Sequence, residues 1–204
     1  MAKITIYGPT QSTYVRTARM LCEEKGVAYD LQPVEFGSPA HLALHPFGKV
    51  PVCKCNGELL YETLAICSYL NDTLPGPSFI PTDARERARM YCWISLINAY
   101  AYTTMIRQLV LPRFGIVQVD ESVANDAVAE SVRQLGIAND ELGANPYLAG
   151  ESLSIADLLL LPIVDYLMAF PDMQEQLTDY TNLKRWYDEL SARDSYSATV
   201  PPQS

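Results

Sequence analysis

Lys3-Ile4-Thr5-Ile6-Tyr7-Gly8-Pro9-Thr10-Gln11-Ser12 sets the fold of the first half of the chain. Lys3 to Tyr7 alternates polar and apolar side chains, the pattern of a half-buried strand. Gly8-Pro9 ends it, and Ser12 reads as the N-cap of a helix over about residues 13–25. Val15, Ala18, Leu21 and Cys22 share one face of that helix, and Arg16, Arg19, Glu23 and Glu24 take the other. Gly26 is placed to stop it. Tyr29 to Val34 reads as a second strand, which a helical crossover makes parallel to the first.

A short helix comes next. Val50 to Lys54 and Glu58 to Tyr61 then flank Cys55-Asn56-Gly57, and Asn-Gly between β runs is a strong hairpin signal. A helix from Thr63 to Leu70 completes the unit. The breaker cluster Asn71-Asp72-Thr73-Leu74-Pro75-Gly76-Pro77-Ser78 marks a domain boundary, with domains expected at about 1–76 and 84–204. The second domain reads as all helix. Segments run from Asp83 to about Leu111 before Pro112, from Ser122 to Leu142, from Ser154, and from Asn182 to Ala192. Ser154 with Asp157 forms a capping box, and Leu158 to Val164 is apolar all round, as in a fully buried helix.

The chain has 204 residues, 49% of them hydrophobic, and a net charge of -9. That acidity argues against general nucleic-acid binding. The basic run Arg85, Arg87 and Arg89 is interrupted by Glu86 and reads as a solvated helix face. The start of the chain lacks the apolar core of a secretory signal, and no stretch reads as a membrane span. Five cysteines, an odd count, favour reduced thiols and a cytoplasmic location.

His41 and His45, four apart, could share a helix face as metal ligands, but no third ligand is spaced to join them, and no metal is expected. Cys53-x-Cys55 lacks the spacing of a redox dithiol and reads as two packed thiols. The chain contains no Gly-x-Ser-x-Gly elbow and no glycine-rich nucleotide loop.

Three segments carry more chemistry. Ser12 at a helix N-terminus is either a simple cap or a donor to an anion such as a thiolate. Phe47-Gly48-Lys49-Val50-Pro51 puts a proline at a strand start, and a cis bond there would turn the Val50 backbone outward to grip a peptide. Tyr61-Glu62-Thr63 offers a carboxylate for an amine and a helix N-terminus for a carboxylate, or else a plain cap. Together they suit a small zwitterionic peptide that carries a thiol.

In these segments the chain resembles the cytosolic glutathione transferases over essentially its whole length. Tyr7 to Arg16 is similar to the active-site start of serine-type members, closest in motif to the phi class. His45-Pro46-Phe47-Gly48-Lys49-Val50-Pro51 resembles the family's Asn-Pro-x-Gly-x-Val-Pro motif, with His45 in the Asn position. Tyr61-Glu62-Thr63-Leu64-Ala65-Ile66 resembles its Glu-Ser-x-Ala-Ile motif, with Thr63 in the Ser position. Tyr147 to Asp157 matches its helical-domain folding signature.

The resemblance implies an α/β thioredoxin-like domain followed by an all-α domain. It implies glutathione as cosubstrate, conjugated to a small, hydrophobic electrophile. Ser12 would stabilise the thiolate. Lys49, Val50, Glu62 and Thr63 would hold the peptide beside a structural cis-proline, Pro51. Pro9, Thr10, Gln11, Tyr102 and Ile106 would face the electrophile. At the place where phi-class members carry a His-Lys pair for the glycine end, this chain has Phe36-Gly37. A homodimer is implied, with Phe47 either anchored in the partner or packed in its own subunit. Alternatives on the same site are an isomerase, dehalogenase or peroxidase, or a non-catalytic binding module.

Overall fold

The computed structural model describes residues 3–202; Met1, Ala2, Gln203 and Ser204, which fall within the two expected domains, lie outside the described residues. The residues divide into two units. One holds the described residues up to Ile80 together with those from Ser191 onward, and the other is Pro81–Leu190.

The first unit is built on four strands, β1 (Ile4–Tyr7), β2 (Asp30–Gln32), β3 (Val52–Cys55) and β4 (Glu58–Tyr61), in the order β2-β1-β3-β4. β1 runs parallel to β2 and antiparallel to β3, with Ile6 opposite both Leu31 and Cys53. The hairpin turns through Asn56 and Gly57, both at positive φ (52° and 91°), so β4 returns with Glu58 opposite Cys55. β2 is shorter than the sequence suggests because Pro33, with no N–H to donate, cannot continue a ladder.

Helix α1 (Thr13–Glu24) ends as expected at Gly26. The Gly26 N–H reaches the Glu23 carbonyl, and the Val27 N–H reaches that of Cys22. Helix α2 (Pro39–Leu44) is capped by Ser38. Helix α3 (Thr63–Thr73) packs on α1 and outruns its expected end by three residues. It stops at Leu74, the residue before Pro75, where the α conformation is disfavoured.

The second unit is helical. One long helix runs as α4 (Ala84–Leu96), a π-helix (Ile97–Val110) and a last turn, α5 (Leu111–Arg113). Ile97, Ala101, Thr104, Met105, Ile106, Leu109 and Val110 are buried along the π segment. The helix passes its expected stop at Pro112 by one residue. It closes at Gly115 (φ 70°), where the Ile116 N–H reaches the Leu111 carbonyl.

Helices α6 (Glu121–Ala144), α7 (Ile155–Met168), α8 (Pro171–Gln176) and α9 (Thr181–Ser191) follow. Leu158 to Val164 of α7 are all buried, as their all-round apolarity predicts. Asp157 caps α7 and does more. One carboxylate oxygen accepts from the Ser154 N–H and hydroxyl, and the other from the Leu148 N–H and Trp186 Nε1, each at 2.9 Å. Burial pushes the Asp157 carboxyl above its ordinary range, and the four donors pull against it. Arg87 and Arg89 are less solvated than expected: Arg87 reaches the carbonyls of Pro81 and Thr82, and Arg89 reaches Asn145 and Glu141.

The chain then returns to the first unit in a short helix, α10 (Asp194–Ser197), which packs on α1. This return buries Arg16 and Arg19, which depart from their expected solvent face at 1% and 8% exposed. Arg19 donates to the carbonyls of Ala198 (2.9 Å) and Thr199 (3.3 Å), and the Arg16 guanidinium lies 4.6 Å over the Tyr196 ring. Glu24 takes a two-pronged bond from Arg193 at 2.6 Å and another from Ser195. The segment expected to close the helical domain therefore belongs with the first unit.

Candidate functional site

Ser12 caps α1 with extended backbone (φ -70°, ψ 123°), and its Oγ accepts from the Val15 N–H at 3.3 Å. A hydroxyl has one donor and two acceptor positions, so this cap leaves the O–H proton for a ligand. The positive end of the α1 dipole lies beside it.

Gly8 brings a second segment to the same place. It sits at φ 144°, and a Cβ there would lie 2.5 Å from Val15 and 3.1 Å from the Cβ of Val50. Only glycine admits this approach, so Val50 packs directly behind the Gly8–Ser12 turn. The Val50–Pro51 bond is cis. Pro51 is buried, Val50 is half-buried and Lys49 is exposed.

The third segment is Glu62–Thr63, at the junction of β4 and α3. Glu62 stands at φ 70° and ψ 120°, a conformation that costs a non-glycine residue on the order of 1–3 kcal/mol. Its side chain is exposed and makes no cap bond to α3. The first N–H groups of α3 and the Thr63 hydroxyl are beside it.

Both histidines brace the loop before Pro51, a role that their four-residue spacing does not reveal. His41 Nδ1 accepts from the Gly37 N–H, so its Nε2–H donates to the Lys49 carbonyl at 3.1 Å. His45 Nδ1 accepts from the Phe47 N–H at 3.1 Å. The signal in the sequence is a pair of histidines close before a Pro-Phe-Gly loop, but the spacing points first to metal chemistry and so hides the brace. Among the described residues, no cluster of three or more His, Cys, Asp or Glu is placed to hold a metal ion.

The cysteines are free thiols. Burial, with help from neighbouring thiols, pushes Cys22 and Cys53 up to about 12 and raises Cys67 as well; burial alone raises Cys55. Groups so protonated are packing residues, not nucleophiles.

Pro9 and Thr10 are half-buried and Gln11 is exposed, next to Ser12. In the helical unit Tyr102 is half-buried, and burial raises its phenol while Arg107 draws it back. Ile106 is only 4% exposed. Of the two helical residues expected to face an electrophile, Tyr102 therefore keeps exposed surface and Ile106 is buried.

The four-stranded thioredoxin-like unit thus presents a hydroxyl at the start of α1, a peptide backbone at the cis-proline and a carboxylate at the start of α3. The comparisons agree. A model of the glutathione S-transferase N-terminal domain matches residues 11–73, and one of the C-terminal domain matches residues 93–194. Glutathione S-transferase F10 of Arabidopsis thaliana is 29% identical over 205 residues, covering 95% of this chain and 94% of that protein.

The crystal structure of poplar glutathione transferase F1 matches with a TM-score of 0.87 at 31% identity, over 97% of this chain and 96% of that one. A theta-class enzyme of Xanthomonas axonopodis pv. citri, solved with glutathione bound, matches at 0.85 and 28%, over 100% and 99%. The chain belongs to the glutathione S-transferase family, and its named relatives include plant enzymes of the phi class.

Proposed function

We propose that this chain conjugates the thiolate of glutathione to small hydrophobic electrophiles. The observation that carries the reading is the geometry of Ser12. Its oxygen accepts from the Val15 N–H, which leaves the hydroxyl proton available to donate. A free thiol has a pKa of about 8.5 and is mostly protonated at neutral pH. A hydrogen bond to sulfur and the field of the α1 N-terminus favour the thiolate, which is the nucleophile.

The peptide lies along the cis-proline loop in this reading. The Val50 N–H and C=O pair with its cysteinyl backbone, in the manner of an added strand. Glu62 takes the γ-glutamyl amine, and Thr63 with the α3 N-terminus takes the neighbouring carboxylate. Lys49, exposed and with its carbonyl fixed by His41, takes the glycine carboxylate. Pro9, Thr10, Gln11 and Tyr102 are the candidate electrophile contacts.

The protein works as a homodimer in a reducing, cytoplasmic setting. Phe47 supports the first statement. Its ring is 78% exposed, which fits a partner pocket and not its own core. Five free thiols, four of them buried, support the second. Retention on immobilised glutathione, followed by turnover of a chloronitroarene and identification of the thioether product, tests the function. A protein that binds glutathione but forms no conjugate with any electrophile would be a binding module, and an altered product would mark an isomerase, dehalogenase or peroxidase.

A further inference from the structure

His45 is 1% exposed and sits between the cis-proline loop and the end of β4. Its ring lies 4.9 Å from that of Tyr61, tilted by 46°. The Phe47 N–H donates to Nδ1, and a backbone N–H can only donate. The neutral ring therefore carries its proton on Nε2. That nitrogen faces Oε1 of Glu62 at 3.6 Å, and a small side-chain adjustment makes a hydrogen bond.

Glu62 needs such help. Its backbone is strained, its side chain is 71% exposed, and no bond to α3 fixes it. We propose that His45 is a positioning residue, which draws Oε1 of Glu62 to its Nε2–H and leaves Oε2 turned out for a cationic amine. The proposal deepens the reading in which Glu62 binds the γ-glutamyl amine of glutathione, and rests on it. A role in the loop alone would need only the Nδ1 acceptor. An Asn side-chain oxygen can supply that, because Asn accepts from the N–H two residues on. Asn also has N–H donors, but they sit on Nδ2, one atom short of the far ring nitrogen that faces Glu62.

The test is a cycle of wild type, His45→Asn, Glu62→Gln and the double variant, with the glutathione KM, kcat and melting temperature measured for each. His45→Asn is expected to raise the glutathione KM by about threefold to tenfold, the worth of one hydrogen bond, with kcat within about twofold. The double variant should be no worse than Glu62→Gln alone. Should His45→Asn fail to fold, His45→Phe, which keeps a ring against Tyr61, takes its place in the cycle. A KM unchanged in His45→Asn while Glu62→Gln raises it overturns the proposal and leaves the site reading standing. So does an effect of the same size with and without Glu62, because it would be purely structural. If Glu62→Gln itself leaves the KM unchanged, both readings fall, and that arm alone shows it.

Discussion

Ser12→Ala separates two roles that one oxygen holds at once. As a cap, Ser12 accepts a rather long bond of 3.3 Å from Val15, so its loss belongs at the lower end of N-cap values, about 0.5–1 kcal/mol. For a chain of this size that lowers Tm by about 1–4 °C. As a donor to a thiolate, the hydroxyl is worth about 1.5–3 kcal/mol, or roughly 10- to 150-fold in rate at neutral pH. The same energy raises the pKa of the bound thiol by about one to two units. The pH profile of kcat/KM should therefore move to alkaline pH by that amount, with rates converging at high pH. Ser12→Asp is the control. Asp caps as well as Ser and its charge suits a helix N-terminus, yet it repels a thiolate. It should restore Tm while conjugation stays at or below the level of Ser12→Ala. An unmoved pH profile in Ser12→Ala, with only the small drop in Tm, would leave Ser12 as a cap and refute the catalytic role.

Phe47→Ser should weaken the dimer by about 2 kcal/mol, near 30-fold in Kd, while the subunit still folds because the ring is exposed; sedimentation velocity across a concentration series reads it. Asp157→Ala strands four donors in a buried site and should cost about 3 kcal/mol or more, a Tm loss of roughly 6–12 °C, while glutathione affinity measured below the transition stays normal. Burial pushes Glu24 up, but the bonds from Arg193 and Ser195 outweigh it and hold the carboxyl below its usual range. Its stabilising effect is therefore present above the unfolded pKa of about 4.3 and lost as pH falls through the lower folded value, so Glu24→Gln should flatten that part of the acid limb of a Tm-against-pH curve.

The elements that local rules govern were legible from the residues. Ser12, Gly26 and Asn56-Gly57 each set a cap, a stop or a turn through their own backbone preferences, and β1, α1 and the hairpin fall where those residues put them. The three segments of the candidate site were legible for the same reason, since each is a junction with a residue type the junction demands. What lay beyond reach depends on distant partners. Nothing near Arg16 or Arg19 announces Tyr196 or the Ala198 carbonyl. The π-helix was hidden because Ile97, Ala101 and Met105 recur every four residues, a spacing that suits the α turn and the wider one almost equally. The brace at His45 was hidden because it works across a loop, from Phe47 to Glu62, and not along a helix.

The return of the residues after Ser191 to α1 makes the helical unit an insertion within the first one, whatever the linear order suggests. Synthesis then cannot finish the domains in sequence. When the ribosome has released the first 190 residues, the helical unit is complete, whereas the buried guanidinium groups of Arg16 and Arg19 still lack the chain that covers them. The helix that Ser12 caps gains the contact of α10 only after the whole helical unit has been made. The first unit is thus completed by residues that follow the whole helical unit along the chain, and the unit that begins first is the one that closes last.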